Sequence, residues 1–271
     1  LYPMKVWAHI LKHFLVGFLS KRYNRTNNLF TLFHFSYFMP TEQFTWVITG
    51  GAGFIGSHLA KELVRSGQRV RVFDNFSGGF RSNLSDIVAK IEIIEGDIRD
   101  WRAVQQAFAG ADYVLHHAAL VSVAESVDKP LVTEEINVRG TGNVLEAARR
   151  QGVRRVVFAS SSAVYGNRPE LPYREDTPED CQSPYAWSKQ AGARLCNLYT
   201  ENYKLETVIL RYFNVFGPGQ NPNSAYAAVI AKFMQLAEQN RPLGIDWDGQ
   251  QSRDFVNVRD VVQANLLAAF K

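Results

Sequence analysis

Tyr185 and Lys189 stand four residues apart in Tyr185-Ala186-Trp187-Ser188-Lys189, so on a helix their phenol and ammonium share one face and can act on one substrate atom. The chemistry this spacing allows is proton abstraction by a phenolate. A free tyrosine has a pKa near 10, and lowering it by roughly three units for work at neutral pH takes about 4 kcal/mol of preferential stabilisation of the phenolate. Taken alone, such a pair is common on solvated helix surfaces. Its weight comes from Ser160-Ser161-Ser162, which follow the apolar run Val156-Val157-Phe158 and whose hydroxyls can bond a substrate alcohol.

A second constellation lies upstream. Phe44-Thr45-Trp46-Val47-Ile48 has the β-branched and aromatic content of a buried strand, and Ser57 to Val64 has helical apolar spacing. Between them Thr49-Gly50-Gly51-Ala52-Gly53-Phe54-Ile55-Gly56 spaces glycines as a dinucleotide pyrophosphate requires. Gly50 permits the tight turn, Gly53 lets backbone approach the pyrophosphate, and Gly56 lets the helix pack closely with its N-terminus aimed at the anion. The next strand, Arg69-Val70-Arg71-Val72-Phe73, ends in Asp74, about 20 residues on, where a carboxylate accepts from the adenosine ribose hydroxyls. That favours NAD over NADP, although Arg81 is close in sequence and tempers the preference. An oxidised nicotinamide would add its positive charge to that of Lys189 beside Tyr185.

These residues need a scaffold, and the pattern predicts one. Ile91-Glu92-Ile93-Ile94, Tyr113-Val114-Leu115-His116, Arg155-Val156-Val157-Phe158 and Thr207-Val208-Ile209-Leu210 continue the strand series, separated by helical patterns over 101–108, 130–150 and 185–204. Alternation of this kind predicts an α/β fold, a doubly wound parallel sheet of the Rossmann kind. In such a sheet Asp97-Ile98, Ala118-Ala119 and Ser160-Ser161-Ser162 all follow strands and should face one cleft. Gly140 and Gly142, inside the long middle helix, should permit close packing.

Composition bounds the partners. The +4 charge over 271 residues suggests a basic protein, yet residues 1–38 hold Lys5, Lys12, Lys21, Arg22 and Arg25 and no acid. Without them 25 basic residues face 26 acidic ones, a net charge of −1, which argues against a nucleic-acid partner. Three readings compete for that segment. Lys12 and His13 interrupt any signal-peptide core, and no run is long enough to span a membrane; an organelle transit peptide is compatible with the missing acids. The preferred reading is translated sequence upstream of a start at Met39, disordered or loosely helical. Two cysteines, Cys181 and Cys196, lack metal-ligand spacing and the number expected of a disulfide framework, which fits a cytoplasmic location and no metal.

The expected organisation is therefore an extension over 1–38, a cofactor domain over 39–215 and a substrate-binding portion over 216–271. The last contains a loop rich in Pro, Gly and Asn, a helix over 226–240, a hairpin turning near Asp246 to Gly249, and a helix begun at Asp260. Its final turn, Leu267-Ala268-Ala269-Phe270, lacks a terminating signal and an evident partner, so this portion is read as truncated.

Taken together, the chain resembles the extended short-chain dehydrogenase/reductase family and, within it, the nucleotide-sugar 4-epimerases. The resemblance spans 44–270 and rests on Thr49 to Gly56, Asp74-Asn75-Phe76, Gly96 to Asp100, His117-Ala118-Ala119, Asn137 to Thr141, Ser160 to Gly166, Tyr185 to Lys189, Arg211 to Gly217 and Ser252-Arg253-Asp254-Phe255. It implies Tyr185 as base, Lys189 on the nicotinamide ribose and Ser161 on the sugar 4-hydroxyl, with Ser162 assisting. It also implies a cofactor lining that includes Phe54, Ile55, Asn75, Asp97, Ile98, Ala118, Ala119 and Tyr212. Asn214 and Arg253 would hold the diphosphate of a UDP-sugar and Tyr226 would lie along the uridine.

Within the family, relatives that dehydrate or decarboxylate carry a glutamate two residues before the tyrosine of the strand-end motif. Here Ala163 precedes Tyr165 by two, which favours epimerisation at C4 of a UDP-hexose or UDP-N-acetylhexosamine. Glu125 or Asp176 reaching the pocket would be the route to dehydration, and a uronic acid is disfavoured by Asn214. A non-catalytic NAD-binding fragment is the alternative from another class. The resemblance further implies a homodimer built through a four-helix bundle from 101–108 or 130–150 with 185–204.

Overall fold

The structure is a computed structural model that describes residues 42–222, 229–245 and 248–270. Within the unit formed by Glu42–Gly219 and Asp254–Lys271, six parallel strands lie in the order β3-β2-β1-β4-β5-β6. They are β1 Thr45–Thr49, β2 Arg69–Asp74, β3 Ile91–Glu95, β4 Tyr113–His116, β5 Arg155–Ser161 and β6 Glu206–Tyr212. The order reverses between β1 and β4, whose register pairs Ile48 with Leu115 and Thr49 with His116. Both strands are covered on two faces, and their continuous apolar runs follow from that: Trp46, Val47, Ile48, Val114 and Leu115 are fully buried.

Helices cover the two faces. They are α1 Phe54–Arg65, α2 Trp101–Ala107, α3 Val123–Asp128, α4 Pro130–Glu134, α5 Gly140–Gln151 and α6 Pro184–Tyr203. Ser183 caps α6 by accepting from the Ala186 amide at 3.1 Å, with Pro184 in the first turn where its missing N–H costs nothing. The single helix expected over 130–150 is instead α4 and α5 joined by a π-helical turn, Glu135–Arg139. Gly140 does allow close packing, since a Cβ there would meet Ile98 Cδ1 at 2.5 Å, whereas Gly142 faces nothing within 4 Å.

Two further pieces complete this unit. Short strands β7 Asn214–Phe216 and β8 Phe255–Asn257 pair in parallel. The last helix begins two residues earlier than expected, as α8 Val258–Phe270, and packs on α1, β5 and β6. Its final turn has a partner after all, because Phe270 meets the rings of Phe44, Trp46 and Tyr113 at 6.4, 5.5 and 5.2 Å. The helix expected to belong with 216–271 therefore completes the sheet's aromatic layer.

The second unit includes Gln220–Arg253. Its described helix, α7 Val229–Glu238, closes with Asn240 at φ 53 and Arg241 donating to the Leu236 carbonyl at 2.8 Å. No strand occurs among its described residues, so the hairpin is not seen; Asp246 and Trp247 themselves lie outside the described residues, as do residues 1–38. No helix among the described residues is long and apolar enough to cross a membrane.

Candidate active site

The glycine turn is built as its spacing suggests. Gly50 has φ +69 and donates to the Phe73 carbonyl at 2.8 Å, and a Cβ on it would fall 2.7 Å from the Ala118 amide nitrogen. A Cβ on Gly56 would fall 2.2 Å from the Gly50 carbonyl, so backbone occupies the place of a side chain. Gly53 differs. It is the N-cap of α1, in extended conformation without a side-chain cap, and its Cβ would meet only the Gly50 carbonyl, at 3.2 Å. The first turn of α1, with Phe54 and Ile55 half-buried at its head, carries no acidic residue, which leaves its amides open to an anion.

Asp74 is buried at the end of β2 and holds the turn from the other side. One carboxylate oxygen accepts from Ala52 N and the other from Phe76 N, each at 2.8 Å. Burial raises its pKa and these two bonds lower it again. Beyond it Asn75 donates to Asp97 at 2.9 Å, while the Arg99 guanidinium holds Asp97 down to about 2. The Ile98 side chain is buried against Gly140, which leaves its backbone as the part available to an adenine. Ala118 and Ala119 follow β4, and the Ala118 amide donates to Thr49 Oγ1 at 3.2 Å.

Ser161, Tyr185 and Lys189 come together where β5 ends and α6 begins. Ser161 Oγ accepts from Ala163 N at 3.2 Å, starting the 3-10 turn Ser162–Tyr165 on which Ser162 is half-buried. The Ser161 side chain also sits beside the Tyr185 phenol and favours its ionised form. Lys189 is 5% exposed, donates to the Ala159 carbonyl at 2.8 Å and has its ammonium 6.0 Å from the centre of the Tyr185 ring. Burial pulls Lys189 down to about 8 and pushes Tyr185 up. The phenol is thus raised by desolvation, opposed by Ser161, and the lowering expected from Lys189 is not seen in the protein alone. Ser160 is buried behind this group, its hydroxyl without a hydrogen bond among the described residues.

Other expected site residues are used differently. The Tyr212 hydroxyl bonds His117 Nε2 at 3.1 Å and Asn265 on α8 at 2.9 Å, and the ring stacks on His117. Burial lowers His117 to about 3 and raises Tyr212. The phenol is therefore tied into the protein rather than free for a cofactor. Asn214 donates its side-chain amide to the Asp254 carbonyl at 2.8 Å, joining β7 to the approach of β8. Arg253 lies in the second unit, exposed, with its head on the Ser252 carbonyl. Tyr226 lies outside the described residues.

One residue passed over as a role in the sequence is Asn137, buried in the π-helical turn. Its amide accepts from Leu120 N at 2.8 Å and donates to Leu120 O and to Ser188 Oγ, both at 2.9 Å. Ser188 in turn donates to the Tyr185 carbonyl at 2.8 Å. Asn137 thus clamps the loop after β4 to the turn that carries the phenol and the ammonium. π-turns cluster at functional positions, and the Asn137 to Thr141 motif was the available signal.

A dinucleotide fits these residues. Backbone without a Cβ at Gly53 would admit a pyrophosphate, the Asp74 carboxylate would accept from an adenosine ribose, and a buried ammonium with one protein hydrogen bond retains donors that a second ribose would use.

Comparison with known proteins agrees. Residues 46–271 match the family described as the NAD dependent epimerase/dehydratase family. A putative UDP-glucose 4-epimerase of Methanocaldococcus jannaschii is 41% identical over 224 residues, covering 82% of this chain and 72% of the relative. Among solved structures, the UDP-N-acetylglucosamine 4-epimerase of Methanobrevibacter ruminantium, in complex with UDP-N-acetylmuramic acid, is 39% identical with a TM-score of 0.81, covering 84% of this chain and 74% of that one. The Thermus thermophilus UDP-glucose 4-epimerase, in complex with NAD, is 38% identical with a TM-score of 0.77, covering 84% and 75%. With its glycine turn, its Tyr185–Lys189 pair and this match over most of its length, the chain belongs to the NAD dependent epimerase/dehydratase family.

Proposed function

We propose that the protein inverts C4 of a UDP-hexose or UDP-N-acetylhexosamine. The observation that carries this is the grouping of Ser161, Tyr185 and Lys189 at the end of β5, beside a strand-end turn that offers Ser162 and Ala163 and no carboxylate. NAD held at the glycine turn and Lys189 would supply reversible hydride transfer at C4, so that no net oxidation results. Ser161 donates to or accepts from the 4-hydroxyl and aligns it on Tyr185. The phenolate takes the hydroxyl proton as the hydride leaves, and gives it back to the ketone oxygen when the hydride returns. Lys189 holds the nicotinamide ribose with the donors that Ala159 leaves free.

The phenol is above its ordinary pKa in the protein alone, so its ionisation draws on the positive charge of oxidised nicotinamide. Elimination of water needs a further acid and base at the sugar, and the turn at 162–165 supplies neither, which ranks dehydration second. A non-catalytic NAD-binding role is disfavoured by the presence of all three groups. Within the second unit, Arg253 carries a guanidinium fork that suits a diphosphate and is assigned to the UDP end.

We assign a homodimer formed through helices, supported by the exposure of Val127, Leu131, Leu198 and Tyr203 at 60, 75, 49 and 55% on α3, α4 and α6. Light scattering reads the oligomeric state. Incubation with UDP-glucose and UDP-N-acetylglucosamine, followed by separation of the products, tests the reaction; a 4-epimer is expected, and a 4-keto-6-deoxy product would establish dehydration instead.

A further inference from the structure

His116, at the end of β4, is fully enclosed and lies between two hydroxyls. Its Nδ1 is 2.7 Å from Thr49 Oγ1 and its Nε2 is 2.9 Å from Thr141 Oγ1. Hydrogens need not be seen to be placed, because every partner has one role left. Thr141 donates its hydroxyl proton to the Asn137 carbonyl at 2.6 Å, so toward His116 it can only accept, and Nε2 carries the proton. Thr49 Oγ1 accepts from the Ala118 amide at 3.2 Å and shares the His117 amide, also at 3.2 Å, with the Thr49 carbonyl at 3.1 Å. With Nε2 carrying the proton of the neutral ring, Nδ1 is a bare acceptor and the Thr49 hydroxyl donates to it. The ring is neutral, in the Nε2–H form, with both nitrogens satisfied.

The chain of bonds does not end there. The Asn137 carbonyl that receives Thr141 belongs to the same residue whose side chain bonds Ser188, and Ser188 bonds the Tyr185 carbonyl. His116 therefore connects Thr49, the residue before the glycine turn, and Ala118, whose amide stands against Gly50, to the turn of α6 that carries the base. The links run 2.6–2.9 Å and pass through β1, β4, α5, the π-turn and α6. A fully satisfied buried network of this kind admits one arrangement, because rotating any member leaves a polar group unpaired.

We propose that His116, held as the Nε2–H tautomer between Thr49 and Thr141, is a positioning residue that sets the spacing between the cofactor-binding turn and Tyr185. It touches neither reactant. The proposal rests on the epimerase reading, since it assigns what the spacing is for. The charged and titratable groups facing the ring are Lys189 and His117, both buried and neither an anion, so nothing stabilises an imidazolium there.

The test uses the full chain labelled with nitrogen-15 on histidine, with NAD added. Ring-nitrogen shifts of His116 should show a protonated Nε2 and a bare Nδ1, unchanged from pH 6 to pH 9. In parallel, His116→Phe keeps the ring volume and removes both nitrogens. It should fold, lose about 10- to 100-fold in kcat, and keep KM for the UDP-sugar within about threefold, since misplacement by an ångström costs rate before it costs binding. Thr141→Val, which removes the acceptor of the Nε2 proton together with the hydroxyl bond to the Asn137 carbonyl, serves if the first variant fails to fold and should release the tautomer and lower kcat in the same direction. A protonated Nδ1, titration of the ring in that range, or wild-type kcat in a folded variant overturns the proposal. Absence of epimerisation by the unaltered protein would instead overturn the function on which it rests.

Discussion

Lys189 donates to the Ala159 carbonyl at 2.8 Å and, among the described residues, has no carboxylate beside it. A buried ammonium left this bare destabilises the protein that holds it. Its pKa, about 8 against 10.5, gives the sign: the unfolded chain binds the proton more tightly than the folded one, so stability rises with pH between 8 and 10.5. Below pH 8 the penalty is present in full, on the order of 3 kcal/mol. Lys189→Met should therefore raise the urea midpoint of the cofactor-free protein at pH 7, with the difference from wild type shrinking toward pH 10.5, while epimerase activity collapses. A lower midpoint at pH 7 would mean that Lys189 stabilises the fold and is no strained functional group.

Two glycines of one turn should fail in different ways. Gly56→Ala places a methyl 2.2 Å from the Gly50 carbonyl, so the helix must move off the turn and stability should fall by about 2 kcal/mol or more. Gly53→Ala has extended backbone and a single contact at 3.2 Å, so the protein should unfold within a few degrees of wild type. Its loss should appear in NAD affinity, because the methyl would stand at the N-cap of α1, where the open first-turn amides would meet the pyrophosphate. Thermal unfolding with and without NAD separates the two variants. Equal destabilisation of both cofactor-free variants would show that Gly53 serves packing.

Such contrasts explain what could be read in advance. The glycine turn, Asp74 and the Tyr185–Lys189 pair are local patterns, each complete within one strand-turn-helix or one helical turn; the structure places the first two at the ends of the neighbouring strands β1 and β2 and the pair on α6 beside the end of β5. His116 was legible only as the last apolar-run residue of β4. Its partners stand 67 and 25 residues away, and no spacing rule reports a hydroxyl pair at that distance. The break at Glu135–Arg139 was hidden for another reason, because a π-turn adds one residue to a helix without changing its composition. Helix α8 was grouped with the wrong neighbours because Phe44, Trp46, Tyr113 and Phe270 are far apart in the chain, and only the closed sheet brings their rings together. The direction of the Tyr185 shift needed burial, which spacing does not contain.

Among the described residues, Ser161 is the group beside Tyr185 that favours its phenolate, against a burial that opposes it. Ser161→Ala should then raise the pKa of the base. Because the ionised phenol is the active form, the rise of kcat with pH should move to higher pH, and turnover at neutral pH should fall about tenfold for each unit moved. At high pH part of the loss should be recovered. Tyr185→Phe, by contrast, should lose about 100-fold or more at every pH while still binding NAD. A Ser161→Ala profile that drops uniformly, with no displacement, would assign the serine to substrate alignment alone.

Cofactor choice turns on the far end of β2. Both oxygens of Asp74 are engaged by the turn, from Ala52 N and Phe76 N, which fixes a negative charge where a 2′-phosphate would arrive. Arg81, the cation that tempered the sequence reading, lies 4.2 Å over the Phe76 ring and is ion-paired with Glu95, itself in register with Asp74. That pair is exposed and weak, worth well under 1 kcal/mol, so it restrains Arg81 only lightly. Asp74 is the stronger determinant. Wild-type protein should gain thermal stability from NAD and little from NADP, and Glu95→Gln alone should change neither by much. Asp74→Ser, which removes the charge and leaves a hydroxyl for the turn amides, should weaken NAD and strengthen NADP. Adding Arg81→Ala to Asp74→Ser should abolish the gain, because it removes the guanidinium beside Phe76 that would meet the phosphate. If NADP binding in the double variant equals that in Asp74→Ser, Arg81 plays no part and the discrimination is repulsion by Asp74 alone.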